Sequence, residues 1–493
     1  MPSMAALAKT MVVECVQDPL IWLFVASVAL AILWRRRGYG PLPPGPRPLP
    51  IIGNMTLVNQ LTHRGLVALA EKYGGLLHLR LGCLHVVAVS TPEHAREVLQ
   101  ARDGAFSNRP ATTANFYLTY GRSDLAFAHS GAHVRAMRKL CATNLFSRRR
   151  AETWLAVRDG YGALARDVDR RSGQAVNLGE LIFKHTIGVI FRAAFSAGDD
   201  ELDEFIVILR VFSKVLGEFH VGDYFPWLRW TARLGFNRRL HAARSALDKF
   251  TDKIIDDHMR RGKNPADADA DLVDGLLAFL AEANLSKGKD SENALPFTRD
   301  NVKAMIMDML FGGPETELAD VVGLDRMVDD SDLDKLPFLG CIVKETFRMH
   351  PPIPTLLYEA AKDCELGIYS VPRGSRIIIN VWAINRHHEA WKDGDTFRPM
   401  RFMPGEGDAA GRDLKGGSFE FLPFGSGRRS CPAQGLGHHA VQLAIAYLAH
   451  GFSWKLPDGM SPAELDMGDI AGMTGPRAAR FYAVPTSRLN CSF

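Results

Sequence analysis

One cysteine lies in the part of the sequence that is best suited to chemistry, between a glycine-rich turn and the start of a helix. The segment reads Phe424-Gly-Ser-Gly427-Arg-Arg429-Ser-Cys431-Pro432, and a helical pattern begins near Leu436. Glycine permits a tight turn that aims backbone N–H groups at the sulfur. Such N–H groups and the helix dipole favour a thiolate, which suits an axial iron ligand. A buried, inert cysteine is the alternative for this segment read alone.

Charged side chains with regular spacing lie in two further segments. Glu345 and Arg348 are three positions apart in a helical pattern, so they share one helix face. His350-Pro-Pro352 ends that helix because proline cannot continue it. Arg401 follows within Phe397-Arg-Pro-Met-Arg-Phe402. Taken singly, each of these charges fits a surface ion pair.

The elements that must position these residues are mostly helical. Helical patterns cover residues 61–73, 92–101, 150–170, 200–216, 239–262, 269–283 and 301–311. Two short runs, 77–81 and 86–89, predict a pair of strands. The predicted fold class is therefore mainly α with small β-sheets. Residues 405–410 formally fit a dinucleotide fingerprint, but no strand precedes them and no helix follows, so they predict a plain loop.

Composition excludes several classes of protein. Of the 493 residues, 47% are hydrophobic and 23% are charged, which rules out collagen, coiled coil and wholesale disorder. The formal net charge of +4 is too close to balance for a dedicated nucleic-acid binder, so no nucleic-acid partner is expected. Seven scattered cysteines, an odd number, argue against a disulfide scaffold. None forms a C-x-x-C pair, which disfavours a structural zinc site.

The N-terminal region predicts a transmembrane helix. Residues 20–34 are uncharged and almost wholly apolar, at the short end for a spanning helix. Three arginines, 35–37, follow directly and place that side in the cytosol. A cleaved signal peptide is the alternative, although its charges should precede the apolar run. Six prolines within residues 41–50 then predict a stiff, extended connector.

In this order and spacing, the motifs together resemble the haem-thiolate monooxygenases, the cytochrome P450 superfamily. The resemblance covers essentially the whole chain and implies the cytochrome P450 fold, with haem b as the cofactor and Cys431 as its metal ligand. It implies that Arg429 pairs with a haem propionate. The other implied haem contacts are Phe424, Gly427 and Arg138, and the implied buried structural triad is Glu345, Arg348 and Arg401.

The anchor and hinge resemble those of the microsomal members of this family. The resemblance implies an endoplasmic reticulum membrane protein with its catalytic domain on the cytosolic face. The predicted organisation is a membrane anchor at 1–37, a proline-rich hinge at 38–54 and a haem-thiolate monooxygenase domain at 55–493.

Residues 312–316, Gly-Gly-Pro-Glu-Thr, resemble the oxygen-activation groove of that family. The resemblance implies that Glu315 and Thr316 are catalytic and relay protons; a solvated helix-end charge is the alternative for Glu315 read alone. No convincing nicotinamide or flavin fingerprint is present. Electrons are therefore expected from NADPH through the membrane-bound NADPH–cytochrome P450 reductase. Arg138, Lys139 and 148–150 are candidates for its basic docking face, and a merely solvated charged face is the alternative.

Longer stretches resemble the plant ferulate 5-hydroxylases, namely 317–325, 350–358, 419–432, 456–467 and 474–480. Those enzymes hydroxylate the ring of ferulate, coniferaldehyde or coniferyl alcohol on the route to syringyl lignin, which implies O2 and a small aromatic substrate here. The implied substrate contacts are the loop around 115–118 and the residues Ile353, Thr355, Leu356, Met473 and Thr474. Apolar lining suits a planar aromatic, but such residues also fit a core.

Several positions depart from the resembled pattern. Val134 stands where a tryptophan of the propionate clamp is usual, and Ala433 stands where glycine usually follows Cys-Pro. Thr316 and Glu345 are only 29 positions apart, whereas the resembled enzymes have about two dozen more residues, or ~35 Å of helix. The alternative function is therefore a catalytically impaired or inactive haem-binding remnant. A haem-thiolate isomerase or dehydratase is a further alternative, which the Glu315-Thr316 pair disfavours.

Overall fold

The computed structural model describes residues 40–142, 151–195, 199–262, 272–286, 326–470 and 474–489, with single positions at 19, 22, 298, 299, 302, 303 and 472. The predicted anchor, apart from Pro19 and Trp22, lies outside the described residues. So do Glu315, Thr316, Met473 and the arginines at 148–150. Among the described residues, no helix combines the length and the apolar character needed to cross a membrane.

Helices form most of the described structure, as predicted. Five of the predicted helices are confirmed at His63–Tyr73, Ala151–Asp169, Asp199–Leu216, Phe236–Arg261 and Leu272–Ser286. The pattern at 92–101 is a helix over Pro92–Arg96 that continues as a π-turn over Glu97–Ala101. The other α-helices described are Asp103–Phe106, Thr113–Leu118, Ala132–Leu140, Leu178–Phe195, Asp330–Leu333, Pro337–Met349, Val381–Ile384 and Gln434–Gly451.

Small sheets complete the architecture. The predicted strand pair is confirmed as β1 (Leu76–Leu81) and β2 (Leu84–Val89), which lie antiparallel. They are joined by β4 (Thr355–Glu359) and β7 (Arg376–Asn380) in a sheet of order β1-β2-β7-β4. There β7 runs parallel to β2 and antiparallel to β4. The described residues also form the sheet β3-β9-β8 and the pair β5-β6. Their strands are β3 (Val176–Asn177), β5 (Cys364–Leu366), β6 (Tyr369–Val371), β8 (Phe452–Lys455) and β9 (Tyr482–Ser487).

One hydrophobic core supports the cysteine loop. The helix Pro337–Met349 begins with proline at its first turn, where the missing N–H costs no helix hydrogen bond. It ends at His350, because Pro351 disfavours a helical backbone at the residue before it. Its apolar face packs in the same cluster as the helix Gln434–Gly451, with Val343 and Phe347 among the buried members. These two helices therefore hold the segments that carry Glu345 and Cys431.

A second core lies beneath residues 115–118, where the structure has the helix Thr113–Leu118 in place of the predicted loop. Its centre is aromatic and comes from the helices Leu178–Phe195, Asp199–Leu216 and Phe236–Arg261. The buried rings are Phe191, Phe195, Phe205, Phe212 and Phe250. Ala114 and Leu118 of the helix Thr113–Leu118 join this cluster. The short helix thus depends on long-range packing, since six residues form too short a helix to be stable alone.

Candidate active site

Cys431 lies in a loop that glycines shape through left-handed backbone angles. Gly425 has φ 69° and Gly427 has φ 66°, values that side chains with a Cβ rarely adopt. The Cys431 N–H donates to the Phe424 carbonyl at 2.8 Å, which closes the loop. A Cβ on Gly427 would lie 2.2 Å from the carbonyl oxygen of Leu99. The turn therefore needs glycine for two reasons, namely its backbone conformation and its close approach to the neighbouring helical turn.

The environment of the thiol differs from the sequence expectation. Burial raises the pKa of Cys431, while the backbone N–H of Ala433 and the charge of Arg138 act in the opposite direction. The expectation that the loop and helix dipoles alone favour a thiolate is therefore wrong for the polypeptide by itself, because desolvation outweighs them. Coordination to a metal cation deprotonates a thiol outright. The partly buried sulfur thus fits a metal ligand better than a free nucleophile.

Arg429 is buried behind the loop and bonds to backbone carbonyls. Its Nε donates to Ser107 O at 2.8 Å, and its two Nη atoms donate to Leu125 O at 3.1 Å and to Ala128 O. Burial lowers the pKa of Arg429 to about 10. A guanidinium has five N–H donors, so this arrangement leaves donors for one further acceptor.

Two more arginines surround the same buried position. The guanidinium of Arg109 lies over the ring of Tyr358, 4.6 Å from its centroid, and Arg138 donates to Ser430 O at 2.8 Å. Both charges depress the pKa of Arg429 further. Within the described part of the chain, none of the three arginines forms an ion pair with a carboxylate.

This cluster has the electrostatic character of an anion site. Buried cations in proteins are normally paired. Here Arg429 is buried, and the half-buried Arg109 and Arg138 lie near enough to depress its pKa. The two carboxylates of a haem next to a cysteine ligand fit such a donor set. Arg109 was missed by sequence reasoning. In the sequence, Arg109 is distinguished only by its position after the helix Asp103–Phe106. No neighbouring residue indicates that it lies close to Arg429.

The predicted triad forms one buried network. Glu345 and Arg348 are completely buried, and Arg401 is 2% exposed. Arg348 donates through Nε and Nη2 to the two carboxylate oxygens of Glu345, each at 2.8 Å. Arg401 Nε reaches Oε1 at 3.1 Å, and the backbone N–H of Arg398 reaches the same oxygen at 2.7 Å. Burial lowers the pKa of Arg401, although Glu345 opposes this effect.

The network also binds the chain that leads to the cysteine loop. Arg348 Nη1 donates to Asn385 O at 2.8 Å. The guanidiniums of Arg348 and Arg401 lie 5.1 and 5.8 Å from the ring of Trp391. The Trp391 indole N–H then donates to Glu420 O at 3.1 Å. The triad therefore holds the segment just before the loop, and Trp391 is a central member that sequence reasoning missed.

The predicted substrate-contacting residues that the structure describes come from two segments, and these segments contact each other. Leu356, near the start of β4, lies close to the cysteine loop, since its Cδ1 is 3.7 Å from where a Cβ on Gly425 would be. Thr355 begins the same strand, and Ile353 precedes it with 41% exposure. Exposed Thr474 belongs to the second segment. There the N–H of Gly475 donates to Pro352 O at 3.1 Å, which brings the two segments together.

Comparison with known proteins shows a likeness over nearly the whole chain. The family model described as Cytochrome P450 matches residues 43–319 and 316–480. Cytochrome P450 84A1 of Arabidopsis thaliana is 51% identical over 93% of this chain and 94% of that protein. Flavonoid 3'-monooxygenase of the same plant is 34% identical over 91% of this chain and 92% of that protein. A zebra fish cytochrome P450 solved with progesterone has a TM-score of 0.71 at 25% identity, covering 86% of this chain and 99% of that one.

Proposed function

The chain belongs to the cytochrome P450 family and is a P450 monooxygenase, and from that premise we propose that it hydroxylates the aromatic ring of a phenylpropanoid. The proposed reaction is 5-hydroxylation of ferulate, coniferaldehyde or coniferyl alcohol in lignin biosynthesis. The observation that carries this proposal is the meeting of two segments, 350–358 and 474–480, at the Gly475 N–H···Pro352 O hydrogen bond. Both segments resemble the plant ferulate 5-hydroxylases, and both hold predicted substrate contacts.

The residues of the chain have distinct tasks in this proposal. Cys431 would ligate the haem iron, and Arg429, Arg138 and Arg109 would bind the haem carboxylates. The bound haem supplies the activation of O2. Phe424 packs edge-on against Phe347, with ring centroids 5.3 Å apart, and so couples the cysteine loop to the helix that carries Glu345.

Glu315 and Thr316 would hold and pass the protons that the reaction consumes, at the carboxyl and the hydroxyl group. Leu356, Ile353 and Thr355 would contact one side of the aromatic substrate, with Met473 and Thr474 on the adjoining segment. Apolar contacts of this kind exclude water and orient a planar ring, while a few polar atoms set its direction.

Electrons are proposed to come from NADPH through the membrane-bound NADPH–cytochrome P450 reductase. Of the candidate docking residues, Arg138 turns toward Ser430 of the cysteine loop, whereas Lys139 is exposed. The proposed location is the endoplasmic reticulum membrane, with residues 1–37 as anchor, 38–54 as hinge and 55–493 as the cytosolic catalytic domain. Arginines 35–37 after the apolar run support this orientation.

A second candidate is a catalytically impaired haem protein. The family model matches this chain in two stretches that meet at residues 316–319 instead of one continuous stretch. The alignment with Cytochrome P450 84A1 runs over 491 positions while using 93% of this chain, so that relative has residues with no counterpart here. The first finding places the departure from the family at residues 316–319, and the second supports a loss of residues without locating it. The proposed loss directly after Thr316 is about two dozen residues, equal to ~35 Å of helix.

The reduced carbon monoxide difference spectrum of the purified full-length protein shows whether the thiolate-ligated haem site assembles, and turnover then separates the two candidates. We expect a Soret band at the thiolate position, and Cys431→Ser should abolish it. Turnover of coniferaldehyde, ferulate and coniferyl alcohol with NADPH and added reductase then tests the substrate. A thiolate band without a hydroxylated product would refute the phenylpropanoid assignment or support the impaired enzyme. A well-expressed protein without the band would exclude turnover altogether.

A further inference from the structure

Residues 468–470 and 474–478 pair as the two arms of a hairpin, and Thr474 lies near its tip. Asp469 and Arg477 are bridge partners, Ile470 N–H donates to Pro476 O, and Ala478 N–H donates to Gly468 O, both at 2.8 Å. The tip itself reaches the other substrate segment through the Gly475 N–H bond to Pro352 described above. The position of Thr474 therefore depends on how the two ends of this hairpin are held.

The stem of the hairpin is held by one carboxylate. Asp469 Oδ2 lies 3.2 Å from His63 Nε2 and 3.0 Å from Arg64 Nη2, at the start of the helix His63–Tyr73. A carboxylate only accepts hydrogen bonds, so the Nε2 of His63 carries the proton that it donates. His63 is almost fully buried, and Asp469 keeps 22% of its side-chain exposure. A half-buried carboxylate with two donors is a geometric anchor, since both bonds fix its direction.

The same helix start is tied to the first substrate segment through Trp382. The guanidiniums of Arg64 and Arg386 lie 5.0 and 4.0 Å from the Trp382 ring centroid. The backbone N–H of Trp382 donates to Pro354 O at 3.2 Å. Pro354 in turn lies against Gly475, because its Cγ is 3.5 Å from where a Cβ on that glycine would be.

These contacts form a closed circuit around the proposed substrate contacts. It runs from Asp469 at the stem of the hairpin to Arg64, then to Trp382, then to Pro354, and returns to the hairpin tip at Gly475. Asp469 is the member that joins the hairpin stem to the helix. Without it, the hairpin is held to the substrate segment at its tip, through Pro352 and Pro354, and the distance between the two is no longer set from both ends.

We propose that Asp469, through His63 and Arg64, is a positioning residue that fixes the substrate-contacting hairpin. The proposal rests on the proposed function, because it takes Thr474 to contact the phenylpropanoid. Asp469 acts on substrate binding, whereas the haem site and the triad do not depend on it. Loss of the carboxylate should therefore weaken substrate binding and leave the thiolate-ligated haem intact.

The chain contains a matched control for this test. Asp167 lies 3.4 Å from His185 Nε2 and 3.3 Å from Arg171 Nη2, with 18% side-chain exposure. It thus has the same kinds of partner and nearly the same burial as Asp469. It joins the helices Ala151–Asp169 and Leu178–Phe195 and, in the described part of the chain, forms no hydrogen bond or ion pair with a member of the circuit. Asp167→Ala removes a similar cluster without touching the circuit.

The experiment compares wild type, Asp469→Ala, Asp469→Glu and Asp167→Ala as full-length holoenzymes. Spectral titration with coniferaldehyde gives the dissociation constant, steady-state kinetics give KM and kcat, and the carbon monoxide band reports the haem site. Asp469→Ala should raise the dissociation constant and KM about tenfold, with kcat changed less than about twofold. Asp469→Glu should recover part of the loss. Asp167→Ala should behave like wild type, and the carbon monoxide band should be the same in all four proteins.

Hydrogen exchange of residues 468–478 separates this proposal from the substrate assignment. Faster exchange there in Asp469→Ala, and not in Asp167→Ala, is expected with or without substrate. If wild type binds no phenylpropanoid, the proposed function fails and the exchange result alone decides whether Asp469 holds the hairpin. Unchanged exchange, or equal changes of the dissociation constant in Asp469→Ala and Asp167→Ala, would overturn the proposal.

Discussion

Two carboxylates in this protein are each paired with two basic side chains, yet their environments differ sharply. Glu345 is completely buried with Arg348 and Arg401, whereas Asp469 is partly open to water beside His63 and Arg64. A buried carboxylate that loses a cation stays unpaired in a medium of low dielectric. A partly exposed one is rehydrated and loses little. The first network therefore sustains the folded core, and the second sets the geometry of a surface hairpin.

The ionisation of the two clusters differs for the same reason. Burial lowers the pKa of Arg401 despite the neighbouring carboxylate, so desolvation dominates in the core. At Asp469 burial acts to raise the pKa, but the hydrogen bond from Arg64 and the charge of His63 outweigh it, and the pKa lies below its ordinary value. Hydrogen bonds and nearby charges thus set the direction of the pKa shift at Asp469 near the surface, while removal from water sets it at Arg401 in the core.

The largest effect is expected from Glu345→Ala. It leaves two buried guanidiniums without their carboxylate, and breaking a buried pair in this way costs about 3–5 kcal/mol. The variant should yield little folded, haem-loaded protein, measured by the carbon monoxide band per mole of polypeptide. Glu365→Ala, at an exposed position of β5, is the control and should match wild type. A wild-type yield of the Glu345 variant would show that the network is dispensable.

A pH effect of intermediate size is expected at Asp124, a third buried carboxylate. Burial raises its pKa to about 6, although the N–H of Phe127 donates to it at 2.7 Å. The folded state then holds a proton that the unfolded chain releases nearer pH 4, so stability should fall by ~2–3 kcal/mol as pH rises from about 4 to 6 and stay level above. Melting temperatures measured across this pH range test how stability changes with pH. Asp124→Asn should make that dependence weaker. An unchanged slope in that variant would exclude Asp124 as its source.

A smaller loss is expected from Arg401→Lys. Lysine keeps the positive charge but lacks the planar fork that bonds to Glu345 and to the backbone at the same time. Arg348 still satisfies both oxygens of Glu345, so the free energy of unfolding should fall by about 2 kcal/mol. Denaturant unfolding followed by the carbon monoxide band measures this loss. A loss as large as that of Glu345→Ala would mean that the fork geometry matters more than the pairing.

The smallest effect on stability is expected for Asp469→Ala and Asp167→Ala, each within ~1 kcal/mol of wild type because both carboxylates are partly hydrated. The stabilisation from Asp469 should be present at neutral pH and disappear as the carboxylate protonates below its ordinary pKa, since its pKa is lowered in the folded state. Melting curves at pH 7 and at about pH 3, which is below the ordinary pKa of the carboxyl group, measure both points. A loss at pH 7 that matches Glu345→Ala would remove the distinction between the two networks.

Much of the helical fold could be predicted from local patterns. Apolar periodicity placed five long helices within a few residues of their observed ends, and the 345–348 spacing indicated one shared helix face. The glycines around Cys431 were identified by type, and their left-handed angles follow from the tight turn. These features depend on neighbours along the chain, so the amino-acid pattern contains them directly.

The rest of the candidate site depends on contacts between distant positions. Asp469 is 406 positions from His63, and Arg109 meets Arg429 only because the fold brings their segments together. No spacing rule links such residues, since their proximity results from packing of whole elements. Trp391 was missed for the same reason.

By itself, the sequence determined the helical class, the cysteine loop, the charged residues of the triad and the family resemblance, because these depend on residue type and short spacing. Only the tertiary structure decided how these groups are solvated. It removed Cys431 from part of its contact with water and raised its pKa, against the local expectation. It also placed one carboxylate in the core and another at the surface. Desolvation is a property of the packed molecule, so no stretch of sequence specifies it alone.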